Sequence, residues 1–511
     1  MGIQLKRTGQ LGLLARDLAS AKCRKRGADR DQVLRRIVDR VGLMHGVPQK
    51  IGQLLAFSEL DQSDPAFTRL TENSTTLPRH KAFAAIERQL GRPVRDCFRS
   101  IDPEGISASI GQVHRATLHD GREVAVKVQY PEIAEQIGLD LRALGWLTAP
   151  IGDLRRGFDM AAYRGEIGSM IESELDYQRE AEHLRQFANW TKHWPTLVLP
   201  QVVPELSTKR ILTTTWLTGQ RLGDARRWTE SQRRTAAETI LRLFLTGTFQ
   251  WRCIHADPHP GNYRFQLEDQ EAKVGLLDFG CVKRIPAGLA SGLTGLICDT
   301  IAGVTEGGRV FNRFLEMGFG ETLLEPLRRL LPEVAQTLCE PFTTKSLVRT
   351  AQWKPGERLA RILGPHRMAF RLAGPPEILF FLRAFQGVVH YLNLLDAPVA
   401  WREIWDEAKP SSSVSVVPEP RPDHPSAPHL MKSNSLHIQV REASETKVSM
   451  TFNASATDSL PGLVPLELHE KLRARAINLE NVVADARQRD YAPGDLFSFD
   501  DGTKQVRVWL A

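Results

Sequence analysis

The 511-residue chain lacks any run of about 18 apolar residues, the length a membrane-crossing helix needs. Its most apolar stretch, residues 373–396, is interrupted by Glu377, Arg383 and Gln386, a spacing that suits a core helix. No apolar region near the start reads as a secretion signal, and Lys6 stands where myristoylation favours Ser or Thr. The six cysteines, at 23, 97, 253, 281, 298 and 339, form no C-x-x-C pair and no regular spacing. That pattern suits a reducing cytoplasmic compartment better than a disulfide framework. Hydrophobic residues at 42% and charged ones at 25% exclude wholesale disorder.

Charge is unevenly placed. Residues 1–40 hold eleven Lys or Arg against four Asp or Glu, so the net +7 lies wholly in this arm and the other residues balance. Leu11, Leu13, Leu14 and Leu18 among Arg16, Lys22, Arg24, Lys25 and Arg26 fit a basic helix in peripheral contact with an anionic membrane. A plain solvated face is the alternative. Nucleic acid competes as it would for any basic stretch, but nothing here calls for a specific one.

The chemistry is concentrated in Ile254-His255-Ala256-Asp257-Pro258-His259-Pro260-Gly261-Asn262, followed sixteen residues later by Asp278-Phe279-Gly280. His255 and His259 share the spacing of a zinc-binding helix, but Pro258 and Pro260 forbid that helix. A proline-stiffened loop is expected instead. An Asp, an Asn five positions on, and a later Asp-Phe-Gly supply one group to place a nucleophile and two to hold magnesium against a triphosphate. On this reading Asp257 orients or deprotonates an acceptor, and Asn262 and Asp278 bind the metal.

Upstream, residues 123–128 alternate as a strand carrying Lys127, placed to pair phosphates. Ser107-Ala108-Ser109-Ile110-Gly111-Gln112-Val113 occupies the position of a glycine-rich loop, with Ala108, Ser109, Gly111, Gln112 and Val113 as nucleotide contacts. Glycines are scarce there. Ile106 and Ala108 stand where two of the usual three would be, so a nucleotide should sit differently and a bulky protein substrate is disfavoured.

Residues 107–116, Ser-Ala-Ser-Ile-Gly-Gln-Val-His-Arg-Ala, resemble the alanine-rich loop of the UbiB/AarF/ADCK family of atypical kinases. Lys50-Ile51-Gly52-Gln53 resembles its K-x-G-Q motif, and Glu174-Leu175-Asp176 with Glu180 its E-x-D motif and helix αC. The resemblance implies an α+β, protein kinase-like bilobal fold. It also implies ATP and Mg2+ as cofactors, and ubiquinone or other isoprenoid-lipid metabolism rather than protein phosphorylation. Glu180 would pair with Lys127, and Glu174 with Lys50, whose helix, with Gln53, would roof the site. If residues 174–180 form one helix at about 100° per residue, Glu174 and Glu180 cannot face one partner, and Asp176 shares the face of Glu180.

The expected organisation is a basic helical extension over 1–98, a kinase-like domain over 99–408, a Pro/Ser-rich linker over 409–435 and a small α+β domain over 436–511. In the last, alternation around 436–440 and 448–452 and a turn at 500–502 predict strands, with helix near 466–488. Two other functions are open: a small-molecule phosphotransferase of aminoglycoside or choline kinase type, and a non-catalytic nucleotide-gated scaffold. Cys281, next to Asp-Phe-Gly, is either structural or a thiol open to alkylation.

Overall fold

The computed structural model describes residues 76–137 and 173–410 and most of 435–510, with a few interruptions. The basic arm, Lys50, Gln53 and Ser109 lie outside the described residues. Contacts divide the chain into two units, 1–413 and 414–511.

The first unit begins with α1 (Arg79–Leu90), opened by Pro78 and closed by Gly91 at φ 70°, whose N–H donates to the Glu87 carbonyl. A left-handed closing residue is where glycine is favoured. The helix buries Ala82, Ala85 and Ile86 over an antiparallel sheet of β1 (Ser100–Ile101), β2 (Ile106–Ser107), β3 (Gly111–Thr117), β4 (Glu123–Gln129) and, beyond the next helix and strand, β6 (Ile211–Thr215). Strand β4 shows why its residues alternate. Val124, Val126 and Val128 are buried in a core with Ile86, Phe98 and Ile211, leaving Ala125 and Lys127 for the opposite face. A one-residue slip would bury the lysine and expose the valines.

Helix α2 (Tyr177–Trp190) follows β4, with Asp176 as its cap: the Asp176 side chain accepts from the Gln178 N–H. Its buried stripe is Tyr177, Glu180, Ala181, Leu184 and Phe187, so a glutamate occupies an otherwise apolar face. Strand β5 (Leu197–Val198) pairs in parallel with β9 (Glu271–Leu276), and after β6 the chain continues through Trp216 into α3 (Leu222–Ala225) and α4 (Glu230–Thr246). Thr229 and Gln232 form a reciprocal capping box at the start of α4.

Two short ladders carry the loops of interest. β7 (Cys253–His255) pairs with β10 (Val282–Arg284), and β8 (Tyr263–Glu268) pairs with β9. The β8–β9 turn, Asp269-Gln270, has both residues at positive φ (51° and 69°), as a type I′ hairpin turn requires. Residues 256–262 leave β7 as a loop ending in a single 3-10 turn, Pro260–Asn262. Helices α5 (Ala287–Ile301), α6 (Leu331–Thr343), α7 (Ile378–Leu395) and α8 (Trp401–Ala408) are among those that build the rest of this lobe. Its core includes Trp401 and Trp405 at 1% exposure or less. A small antiparallel-sheet lobe followed by a helical lobe is the protein kinase-like arrangement.

The second unit is a four-stranded antiparallel sheet. β11 (Ser435–Glu442) pairs with β12 (Glu445–Asn453) and with β14 (Lys504–Leu510), and β14 pairs with β13 (Gly494–Asp500). α9 (Leu479–Gln488) shares a core in which Val483 and Ala486 join Leu436, Ile438, Phe497, Phe499 and Val508.

Candidate active site

A cleft of about 670 Å³ is lined by Ala108, Val113, Ala125 and Lys127 from the sheet and by Glu174 and Glu180. The residues after β6, Trp216 and Leu217, and the loop residues Asp257, His259, Asn262 and Asp278 complete it. At one end Lys127 Nζ donates to both Glu180 oxygens and to Asp278 Oδ2, each at 2.9 Å. The Tyr177 ring lies 4.9 Å from the same ammonium, which its π face also attracts. Burial pushes the Glu180 carboxyl up to about 7, helped by Asp278 and opposed by Lys127. Burial also raises Asp278, but Lys127 and the Gly280 N–H outweigh it and hold that carboxyl below its usual range. For Lys127 burial is overcome by the two carboxylates, which keep it firmly charged.

The Asp-Phe-Gly segment is pinned from three sides. Phe279 is fully buried, 5.2 Å from the Phe187 ring and 5.6 Å from the His255 ring. His255 Nε2 donates to the Asp278 carbonyl at 2.5 Å, and burial lowers this imidazole so that it stays neutral. The tautomer is therefore fixed by a carbonyl, which can only accept. Since Phe187 and Glu180 are both on α2, docking Phe279 holds the helix where Glu180 meets Lys127.

Asp257 is held on both oxygens. Arg383 Nη2 donates to Oδ1 at 2.6 Å and Asn262 Nδ2 to Oδ2 at 3.2 Å. Arg383 comes from α7, a long apolar helix, and its side chain is 3% exposed. One turn on, Gly387 faces Pro258 so closely that a Cβ would lie 1.9 Å from Pro258 Cβ. A turn further, Tyr391 Oη donates to the Pro258 carbonyl at 2.9 Å. Residues 383, 387 and 391 thus form one stripe, at helical spacing, that seats the loop. Its signal in the sequence is an arginine, a glycine and a tyrosine four apart in an apolar helix, a pattern that core spacing alone also explains. Ile378–Leu395 has the length and composition to cross a membrane, yet its 18 residues are 67% buried in this lobe.

Several expectations need correction. Residues 174–180 are not one helix: the chain turns at Leu175, and Asp176 caps α2 instead of sharing the Glu180 face, lying 3.7 Å from Lys209. Glu174 and Glu180 consequently line the same cleft despite the angle a continuous helix would impose. Gln112 is fully buried away from the cleft, bonded to His114 Nε2 at 2.8 Å and accepting from the Leu77 N–H at 2.7 Å. Gly111 is not a cleft residue either. A Cβ there would lie 2.2 Å from the Val128 carbonyl oxygen, so glycine serves the approach of β3 to β4. Cys281 is buried at 3% exposure, which fits a structural thiol.

Residues 69–305 match the ABC1 atypical kinase-like domain. That domain is of the UbiB/AarF/ADCK atypical-kinase type. Among its relatives, the mitochondrial atypical kinase coq-8 of Caenorhabditis elegans is 32% identical over 252 residues, 48% of this chain and 33% of that one. The mitochondrial atypical kinase COQ8B of Rattus norvegicus is 28% identical over 385 residues, 73% of this chain and 71% of its own. The solved complex of Rv3197 with erythromycin, from Mycobacterium tuberculosis, aligns with TM-score 0.52 and 25% identity. It covers 74% of this chain and 97% of that one. The family match ends at residue 305, well before β11.

The donor set suits one kind of metal. Among the described residues no three His, Cys, Asp or Glu side chains cluster as a metal cage. Asn262 and Asp278 supply two oxygen donors beside a cleft, the sparse set with which magnesium is held when phosphates and water complete its octahedron.

Proposed function

We propose that the cleft binds Mg-ATP and that the chain is an ATP-dependent phosphotransferase or ATPase. The observation that carries this is the Lys127 contact with Glu180 and Asp278 in the cleft that also holds Asp257 and Asn262. Magnesium, when bound, would neutralise charge on the triphosphate. Lys127, held by Glu180, presents its ammonium to the phosphates; Asn262 and Asp278 hold the metal; and Asp257 orients an acceptor hydroxyl. With Arg383 donating to one oxygen and Asn262 to the other, Asp257 is held in one orientation, which suits positioning an acceptor hydroxyl.

The substrate class we propose is a ubiquinone-type or other isoprenoid lipid, on the strength of the domain match and the sparse glycines of residues 106–113. The mitochondrial names of the relatives support a setting near membranes. For this chain we propose peripheral contact through the arm of residues 1–40, from the cytoplasmic side. Lys50 with Glu174 would close the cleft against peptide substrates.

A second reading is a phosphotransferase acting on a hydroxylated small molecule, supported by the erythromycin in complex with the mycobacterial relative. Phosphate release from Mg-ATP, measured for wild type, Asp278→Asn and Lys50→Ala, tests the assignment. Asp278→Asn should lose magnesium-dependent nucleotide binding, because an amide is a far weaker magnesium ligand. Unchanged turnover in that variant would exclude the site. Lys50→Ala should keep ATP binding and alter the acceptor used. Screening hydroxylated antibiotics against quinone-like phenols for ATP-dependent phosphorylation separates the two readings.

A further inference from the structure

The cleft is lined by four carboxylates, Glu174, Glu180, Asp257 and Asp278, with Lys127, and also by three arginines, Arg221, Arg226 and Arg264. None of these arginines belongs to the sequence motifs, and none is needed by the triphosphate arrangement above.

Their placement follows from the fold. Arg221 caps α3 and Arg226 ends it, both exposed, with Leu222 and Ala225 buried between them to fix the helix. Arg264 is on β8, two residues after Asn262. Backbone bonds between Gln220 and Phe265, in both directions, bring the segment before α3 alongside this strand. Arg264 Nη1 donates to the carbonyls of Gly261 at 3.0 Å and Tyr263 at 2.8 Å, which anchors the guanidinium on the 3-10 turn.

Among the described residues none of the three arginines is in an ion pair, and Asp224, the carboxylate on α3, does not line the cleft. Arg221 and Arg264 thus line one cleft with no carboxylate paired to either guanidinium. Like charges gathered around a cleft and left uncompensated are relieved by a bound anion. Planar guanidinium forks match the oxygens of phosphate.

We propose that Arg221, Arg226 and Arg264 form a second anion site in the cleft, which holds a phosphate or diphosphate ester group additional to the nucleotide's triphosphate. The group belongs either to a phosphorylated acceptor or to a nucleotide carrying an extra phosphate on its ribose. The proposal rests on the nucleotide-binding reading of the cleft, but its test can fail separately.

The experiment uses the full chain, calorimetric titration and two ligand sets. First, inorganic pyrophosphate is titrated into protein saturated with magnesium and a non-hydrolysable ATP analogue. Second, adenosine 2′,5′- and 3′,5′-bisphosphates are compared with AMP. The variants are Arg221→Ser with Arg226→Ser, both at exposed positions, and Arg264→Gln.

Pyrophosphate binding to the loaded wild type, weakened at least about tenfold in both variants while ATP affinity changes less than about twofold, supports an acceptor-phosphate site. A bisphosphate preference over AMP of about tenfold, lost in the variants, supports the same site serving the nucleotide's ribose. Absence of both effects overturns the proposal. So does an equal loss of ATP affinity in the variants, since the arginines would then serve the triphosphate. If the analogue does not bind wild type, the nucleotide reading falls; pyrophosphate titrated into the free protein and the variants then decides the anion site alone.

Discussion

Arg383→Met tests how the loop of Asp257 is held. The wild-type pair spans 2.6 Å, with the arginine side chain 3% and the aspartate side chain 11% exposed. Removing one partner of a buried ion pair costs about 3–5 kcal/mol, because the remaining charge is left in a poorly solvated place. Asp257 faces a cleft and recovers some water, so the lower end, about 3 kcal/mol, is expected. Methionine keeps most of the volume of the arginine stem, so lost packing contributes little. Urea unfolding followed by the fluorescence of the ten tryptophans reads the change, and phosphate release reads its effect on turnover. Asp257→Asn completes a double-mutant cycle. The double variant should be about 2 kcal/mol more stable than the sum of the single losses predicts, since the second change removes the charge that the first stranded. An Arg383→Met protein within about 1 kcal/mol of wild type, or simple additivity in the cycle, would refute this account of the pair.

Gly387→Ala should push Pro258 off α7, lowering stability by about 1–3 kcal/mol and reducing ATP turnover more than ATP affinity, as calorimetry beside phosphate release would reveal. Glu180 has its carboxyl raised from the ordinary 4.5 to about 7 in the folded chain. Between those values the folded state holds a proton that the unfolded state has released, so this group makes stability fall as pH rises. In metal-free protein Glu180→Gln should flatten that part of the urea-midpoint profile, and an unaltered slope would contradict the burial assigned to it. Thr229→Ala removes the capping box of α4 and should cost about 1 kcal/mol in the same unfolding assay without changing nucleotide affinity.

The strand of Lys127 is legible in the sequence because β-branched residues alternate with the lysine, and the two loop motifs because Pro258 and Pro260 rule out a helix. In the second unit, the four strands are visible as alternation, yet their order is not, since period-two patterning says which face is buried and nothing about neighbours. The cleft is harder. Glu174 and Glu180 read as parts of one helix because no proline or glycine marks the turn at Leu175; the cap by Asp176 ends that continuity. Gln112 and Gly111 read as nucleotide contacts from their position in a loop, but strand register turns one inward and packs the other against Val128. Arg383, 126 residues from Asp257, carries no local signal that links them. Contacts of that separation depend on tertiary packing, and a single charged residue in an apolar helix does not name its partner.

The order of strands in the second unit bears on how it is made. β14, residues 504–510, is an interior strand flanked by β11 and β13, although it is synthesised after both. Until the ribosome has released those seven residues, the earlier strands have no partner on their inner edges and Leu436, Ile438 and Phe497 lack the cover of Val506, Val508 and Leu510. The module should therefore mature only after translation has passed residue 510, and a nascent chain halted before residue 504 should be a ready client for chaperones and proteases.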